Sequence, residues 1–151
     1  MKKDRQAILA YAAGIIDGEG CIRIVTRKPR CGRSTSHSLM LQVAQKDGIL
    51  MDWLYGNFGG MVYMKNKKTD GTDWIYEWRV MESKAESVLK QVLPFLTVKK
   101  PQAELGLRFQ THKTGAGNYG DGRYKPLSEN ELSLRAELAK KMSELKKEYK
   151  K

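Results

Sequence analysis

The chain has 151 residues, 28 of them Lys or Arg against 17 Asp or Glu, which gives a formal net charge of +11 at pH 7. That length suits one domain with a real core and excludes two, and the charge favours a polyanionic partner, nucleic acid before an anionic membrane. No apolar run approaches the roughly 20 residues that span a bilayer, and the charged start Met1-Lys2-Lys3-Asp4-Arg5 leads into a helical pattern without a cleavage-like site, so a soluble, intracellular protein with no membrane partner is expected.

The first predicted element is a helix in which Ala7, Ala10, Ala13 and Gly14 recur at three- and four-residue spacing. One face therefore lacks bulky side chains, and another backbone can approach it closely. The helix runs into Asp17-Gly18-Glu19-Gly20, two carboxylates separated by a glycine. Gly18 and Gly20 are expected to stop it by adopting the left-handed conformation, leaving a bare carbonyl beside the acids. A calcium loop needs further acids downstream, where Arg23, Arg27 and Lys28 stand instead. By themselves, Asp17 and Glu19 also fit an ordinary helix-terminal turn.

Cys21 to Thr26 reads as a strand, with Ile22, Ile24 and Thr26 on one face and Arg23, Val25 and Arg27 on the other. A basic turn, residues 28–36, leads to a second strand from Ser38 to Gln45. There Leu39, Leu41 and Val43 face the core, while Ser36, Ser38, Met40 and Gln42 face away. A short helix follows from Asp47 to Phe58, closed by Gly59-Gly60. The next hairpin joins Met61–Lys68 to Trp74–Val80 and carries Lys65, Lys67 and Lys68 near its tip. Trp53, Trp74, Tyr76 and Trp78 are read as packing residues rather than base-stacking platforms.

Ser83 to Phe95 is a helix with Val88, Leu89, Val92 and Leu93 at core spacing, and Pro101 opens another through about Gln110. Residues 111–127, rich in glycine, read as a mobile loop with Lys113, Arg123 and Lys125, either a linker or a phosphate-contacting segment. Ser128 and Glu131 make a capping-box signal for a last helix over 128–151. Its stripe Leu134, Leu138, Met142, Leu145 and Tyr149 is expected to pack on the side of the domain, though a short coiled coil and DNA-backbone contact by its lysines remain open. Cys21 and Cys31 read as free thiols, with a disulfide as the alternative, and His37 and His112 as surface polar or phosphate-contacting groups.

The order helix, two strands, helix, two strands, helix gives an α+β class: a four-stranded antiparallel sheet with helices on one face and a basic, uncovered face opposite. The whole chain, 1–151, is read as one domain with its core at about residues 6–110. Paired hydrogen bonds to base edges suit Arg and Gln, whereas Lys neutralises phosphate, so the DNA-facing set is Arg23, Arg27, Arg30, Arg33, Ser36, Ser38, Gln42, Lys65, Lys67 and Arg79. A one-residue slip in the second hairpin would present Asn66, Lys68 and Trp78 instead.

Ala12 to Gly20 resembles the nine-residue signature of the LAGLIDADG homing endonucleases. Gly14, Ile16, Asp17 and Gly20 fit it letter for letter and Ala13 fits its alanine. Gly18 is a common replacement for its second alanine, and Glu19 stands for its last aspartate. The resemblance implies an αββαββα fold whose saddle-shaped sheet straddles a DNA major groove. A single signature implies a homodimer, with Ala10, Ala13, Gly14 and Asp17 at its interface.

The implied activity is site-specific double-strand cleavage of DNA across the minor groove of a long pseudo-palindromic site, leaving four-nucleotide 3′ overhangs, in the service of intron or intein mobility. Glu19 would be the metal-binding acid and the Gly18 carbonyl a second ligand for Mg2+ or Mn2+, with Ca2+ supporting binding without cleavage. Divalent metals supply the activated water and the charge stabilisation that phosphodiester hydrolysis needs, and one carboxylate per subunit can suffice where two subunits meet. By resemblance, Gln45 stands near the attacking water and Lys99 is an active-site lysine. Ile49 replaces an arginine of some relatives, which leaves open whether Lys46 substitutes. Two other readings remain: a cleavage-inactive maturase or transcription regulator on the same scaffold, and a basic structural RNA-binding domain.

Overall fold

A computed structural model describes residues 2–29, 35–66, 68–71, 73–116 and 127–148. Arg30, Arg33, Lys67, Cys31 and most of the glycine-rich segment therefore lie outside the described residues. In chain order the elements are α1 (Lys2–Glu19), β1 (Gly20–Arg27), β2 (Ser36–Gln45), α2 (Gly48–Phe58), β3 (Met61–Asn66), β4 (Trp74–Met81), α3 (Glu82–Val92), α4 (Lys100–Ala116) and α5 (Glu129–Glu148). A 3₁₀ turn, Leu93–Phe95, follows α3, with Pro94 inside it. No helix among the described residues is long and apolar enough to cross a membrane.

The two hairpins join through their inner strands, in the order β1-β2-β4-β3, every pair antiparallel. Alternation sorts the side chains. Ile22, Ile24, Leu39, Leu41, Val43, Trp78 and Val80 are buried on one face against Ala12, Ala13 and Ile16 of α1, Met51 and Leu54 of α2, and Val88, Leu89 and Val92 of α3. Phe109 of α4 and Leu138 and Met142 of α5 complete that core, as the apolar stripe of the last helix predicts. Burying a side chain of this size contributes about 1.5–3 kcal/mol, so this shared layer is what commits the chain to one sheet face.

Three expectations change. Gly18 lies inside α1, and neither Gly18 nor Gly20 adopts positive φ. Gly20 is small for another reason: a Cβ there would stand 2.6 Å from the Ile16 carbonyl oxygen, so the chain can turn from helix to strand without a loop only over a bare backbone. The left-handed stop operates instead after α2, at Gly59 and Gly60, where the Trp78 indole donates to the Gly59 carbonyl at 2.8 Å. Next, α4 continues to Ala116, so residues 111–116 are helix rather than loop. Tertiary partners hold this polar stretch: Lys113 donates to the His37 carbonyl at 2.8 Å and to Glu82 at 2.6 Å, and His112 meets Glu131 at 2.8 Å.

The third change is His37, which is 3% exposed rather than on the surface. It extends the inward alternation of Leu39, Leu41 and Val43 by one step. Burial first, then the charges of Arg135 and Lys113, hold its pKa below the ordinary 6.5. The capping signal at α5 is half used. Ser128 accepts from the Glu131 amide at 3.2 Å, while the Glu131 carboxylate turns to His112 and to Arg135, at 2.6 Å.

A His with a depressed folded-state pKa binds fewer protons when folded than when unfolded, so its stabilising contribution is complete above pH 6.5 and declines as pH falls through and below that value. Urea unfolding followed from about pH 8 to about pH 5 is expected to show that decline, and a His37→Gln protein should show a flatter profile across the same window.

Candidate active site and nucleic-acid interface

The C-terminus of α1 is tied to the segment before α4 by a reciprocal pair of caps. Asp17 accepts from the Thr97 amide at 2.8 Å and from the Lys99 amide at 2.9 Å. The Lys99 ammonium in turn donates to the carbonyls of Ile16, at 2.9 Å, and Asp17, at 2.5 Å. Each group meets backbone atoms left unpaired at a helix end, and the cation also complements the helix dipole. Burial holds the Lys99 pKa below the lysine range and Lys146 pushes the same way, against the pull of Asp17, Cys21 and Glu19. Both oxygens of Asp17 are thus engaged within the chain.

Glu19, the last residue of α1, is exposed and makes no hydrogen bond or ion pair with any described residue. Gly18 beside it is open, with nothing within 4 Å of a notional Cβ. Gln45 ends β2 two residues beyond Val43, which pairs with Gly20, so the register puts Gln45 and Glu19 at the same end of the sheet. Lys99 and Glu19 are close enough to interact electrostatically. Lys46 is tied to Asp73 at 3.1 Å, and Ile49 is 78% exposed at the start of α2. Among the described residues no three His, Cys, Asp or Glu side chains cluster as a metal site.

The exposed face of α1 carries Ala7, Ala10, Tyr11, Gly14 and Gly18. Ala13 points the other way and is fully buried in the chain's own core. Gly14, like Gly18, has open space around it.

On the uncovered face of the sheet the register aligns Arg23 with Met40, Arg27 with Ser36, Gln42 with Arg79, Met61 with Arg79 and Lys65 with Ile75. Arg23, Arg27, Ser36, Ser38, Gln42, Lys65 and Arg79 therefore share one surface, and the slipped set Asn66 and Trp78 faces the helices. Arg23 donates to the Gln42 carboxamide at 3.2 Å, and Arg79 lies over the Tyr63 ring at 4.9 Å. Both arginines keep a buried Nε–H without an acceptor among the described residues.

One residue of this face was missed: Glu77, two positions before Arg79 and so on the same side of β4. It is 7% exposed, ion-paired to Arg79, and accepts from Lys65 at 3.0 and 3.1 Å. Burial alone would raise its pKa, but the hydrogen bonds from Lys65 and Arg79 win and lower it, so Glu77 is a carboxylate at neutral pH. Period-two reading of Ile75, Glu77 and Arg79 was the signal that could have found it.

No family model matches the chain, and no curated protein sequence does. Solved structures do. The homing endonuclease I-CvuI in complex with its target in the presence of 2 mM Ca superimposes with a TM-score of 0.73 at 25% identity, over 94% of this chain and 83% of that one. The archaeal intron-encoded homing endonuclease I-Vdi141I complexed with DNA gives 0.74 at 18% identity, covering 93% of this chain and 84% of the other. The homing endonuclease I-TnaI gives 0.63 at 21% identity, over 93% and 96%. Element order, sheet and coverage agree with the single signature at the end of α1: the chain has the fold of the LAGLIDADG homing endonucleases, with one copy of their motif.

Proposed function

We propose that the chain is a homodimeric, divalent-metal-dependent, site-specific DNA endonuclease that cuts both strands across the minor groove. The observation that carries this reading is the placement of an unpaired carboxylate, Glu19, at the tip of a helix whose end is clamped in place, beside a sheet face bearing the chain's basic and amide side chains. The exposed small-residue face of α1, with Ala10 and Gly14, is where a second copy would pack, setting two Glu19 residues about a two-fold axis. Ala13 and Asp17 support that face from inside.

The donor set fits a hard cation. Glu19 and the Gly18 carbonyl are oxygen ligands, too few alone, and Mg2+ normally completes its shell with waters and substrate phosphate. When bound, the metal would supply an activated water and stabilise charge on the phosphate. The neighbour I-CvuI, solved on DNA in Ca or in Mg, supports that cofactor class. Lys99 holds Glu19's helix end and leaves at most one N–H for the phosphate region, while Gln45, whose carboxamide has no partner among the described residues, stands at the same end of the sheet for a water. Arg23, Gln42, Lys65 and Arg79 form the centre of the reading surface, flanked by Arg27, Ser36 and Ser38. The sequence places Arg30, Arg33 and Lys67 at the adjoining tips, and these extend the reading surface. A near-palindromic site follows from the two-fold symmetry and short overhangs from cuts across the minor groove; the resemblance makes those overhangs 3′.

Selection of cut ends from a randomised duplex library tests this reading. With Mg2+ the unmodified protein is expected to yield one long pseudo-palindromic site, and Glu19→Gln to bind that site and leave it whole. Enrichment by binding with no cut ends under Mg2+ or Mn2+ would replace the endonuclease with a maturase or regulator.

Glu77→Gln removes the charge that holds Lys65 and Arg79 together, adding one net positive charge to the reading face. Binding to the selected duplex relative to an unrelated one is expected to lose about tenfold in preference, chiefly through tighter non-specific binding at low salt. Unchanged preference across a salt series would show that Glu77 does not position the readout.

A further inference from the structure

At the clamped end of α1 the structure brings in a second half-buried lysine, from an element remote in sequence. Lys146, near the end of α5, places its ammonium 3.0 Å from the Cys21 sulfur. Cys21 is two residues beyond Glu19, on the first turn of strand that leaves the signature. Lys140, Lys141 and Lys147, on the same helix, are exposed.

The setting of Lys146 is poor for a cation at rest. Among the described residues its one hydrogen-bond partner is a thiol sulfur, a weak acceptor, and no carboxylate pairs with it. A part-desolvated ammonium in such a place lacks the anion that would offset its dehydration. Two neighbouring cations are committed elsewhere: Lys46 to Asp73, and Lys99 to two α1 carbonyls. No residue of α2 is basic. Among the described residues, then, the Lys146 ammonium lies against Cys21, two residues along the chain from the exposed Glu19, with no anion to pair with, and the missing partner is an anion.

Building on the endonuclease reading, we infer that Lys146 is a further active-site residue, the cation that contacts the phosphate undergoing hydrolysis. As water attacks phosphorus and the P–O3′ bond breaks, the non-bridging oxygens gain charge, and a fixed ammonium stabilises that state more than the ground state. The attacking water gives up a proton to solvent and the leaving 3′ oxygen takes one from it, leaving a 5′ phosphate and a 3′ hydroxyl. Helix α5 thereby has a catalytic assignment besides packing on β1 and α4.

The test uses the full chain and a duplex recovered with the unmodified protein, comparing Lys146→Met, which keeps the aliphatic stem, with Lys146→Arg and Lys147→Ala. At saturating protein, Lys146→Met is expected to slow single-turnover cleavage by about tenfold or more while its Kd for the duplex changes less than about threefold, and Lys146→Arg to recover most of the rate. Lys147→Ala, which removes the same charge one residue on, should leave the rate unchanged. Cleavage by Lys146→Met at the unmodified rate would overturn the assignment and leave the endonuclease standing. Equal losses of affinity in Lys146→Met and Lys147→Ala, with neither rate altered, would also overturn it, since they would report bulk charge alone. If the unmodified protein cuts no duplex, the endonuclease reading falls and this assignment falls with it.

Discussion

The clamp between Asp17 and Lys99 is the contact on which the rest of the site depends. A helix that passes into a strand with no intervening loop must be fixed at its last turn, because a rotation of α1 would carry Glu19 away from the sheet. The carboxylate and the ammonium fix it from opposite sides: one takes the amides of residues 97 and 99, the other the carbonyls of residues 16 and 17. Hydrogen bonds that involve a charged partner, part-shielded from water, are the stronger kind. The same four bonds also set the start of α4, so the helix that bears the signature and the helix that carries Phe109 into the core are registered to one another. Gly20 completes the device, since any side chain there would collide with the Ile16 carbonyl.

Much of this was legible in the sequence where one period dominated. Ile22 and Ile24 against Arg23 and Val25, or Leu39, Leu41 and Val43 against Met40 and Gln42, alternate without interruption, and the structure keeps both faces. The second hairpin was ambiguous because Lys65, Asn66 and Lys68 are all polar. Pairing of Met61 with Arg79 and Val62 with Trp78 decides it, and Trp78 is fully buried on the core side. The order β1-β2-β4-β3 was not legible, since no local pattern records which hairpin edges meet. His37 was readable but overlooked, being one more inward step along β2. The helical run 111–116 was hidden because its partners, Glu82, Glu131 and the His37 carbonyl, come from distant positions.

Within the candidate site the acids were easier to name than to assign. Asp17 and Glu19 are two residues apart and chemically alike, so sequence alone leaves their roles exchangeable without the resemblance. The structure separates them by surroundings. Asp17 is met by two backbone donors and is occupied; Glu19, two residues beyond it, is met by none among the described residues. Ala13 shows the same limit on the helix face: it shares a spacing class with Ala10 and Gly14, yet it packs inward beside Ala12 and Ile16.

The distribution of charge on the sheet carries the argument furthest. A face crowded with cations repels itself, and it would splay its long side chains into solvent unless something gathered them. Glu77 gathers two of them, Lys65 and Arg79, and Tyr63 supplies a surface on which the guanidinium rests. Gln42 draws Arg23 inward from the other hairpin. The cost of burying Glu77 is offset by the bonds it accepts, and what remains is an ordered row of donors whose side chains have already lost much of their conformational freedom. Two arginine Nε–H groups in that row lack an acceptor among the described residues. On the proposed endonuclease reading, a surface built this way would favour a rigid, acceptor-rich partner such as the major-groove edge of a duplex, because a flexible polyanion could neutralise the charge without meeting the fixed donors.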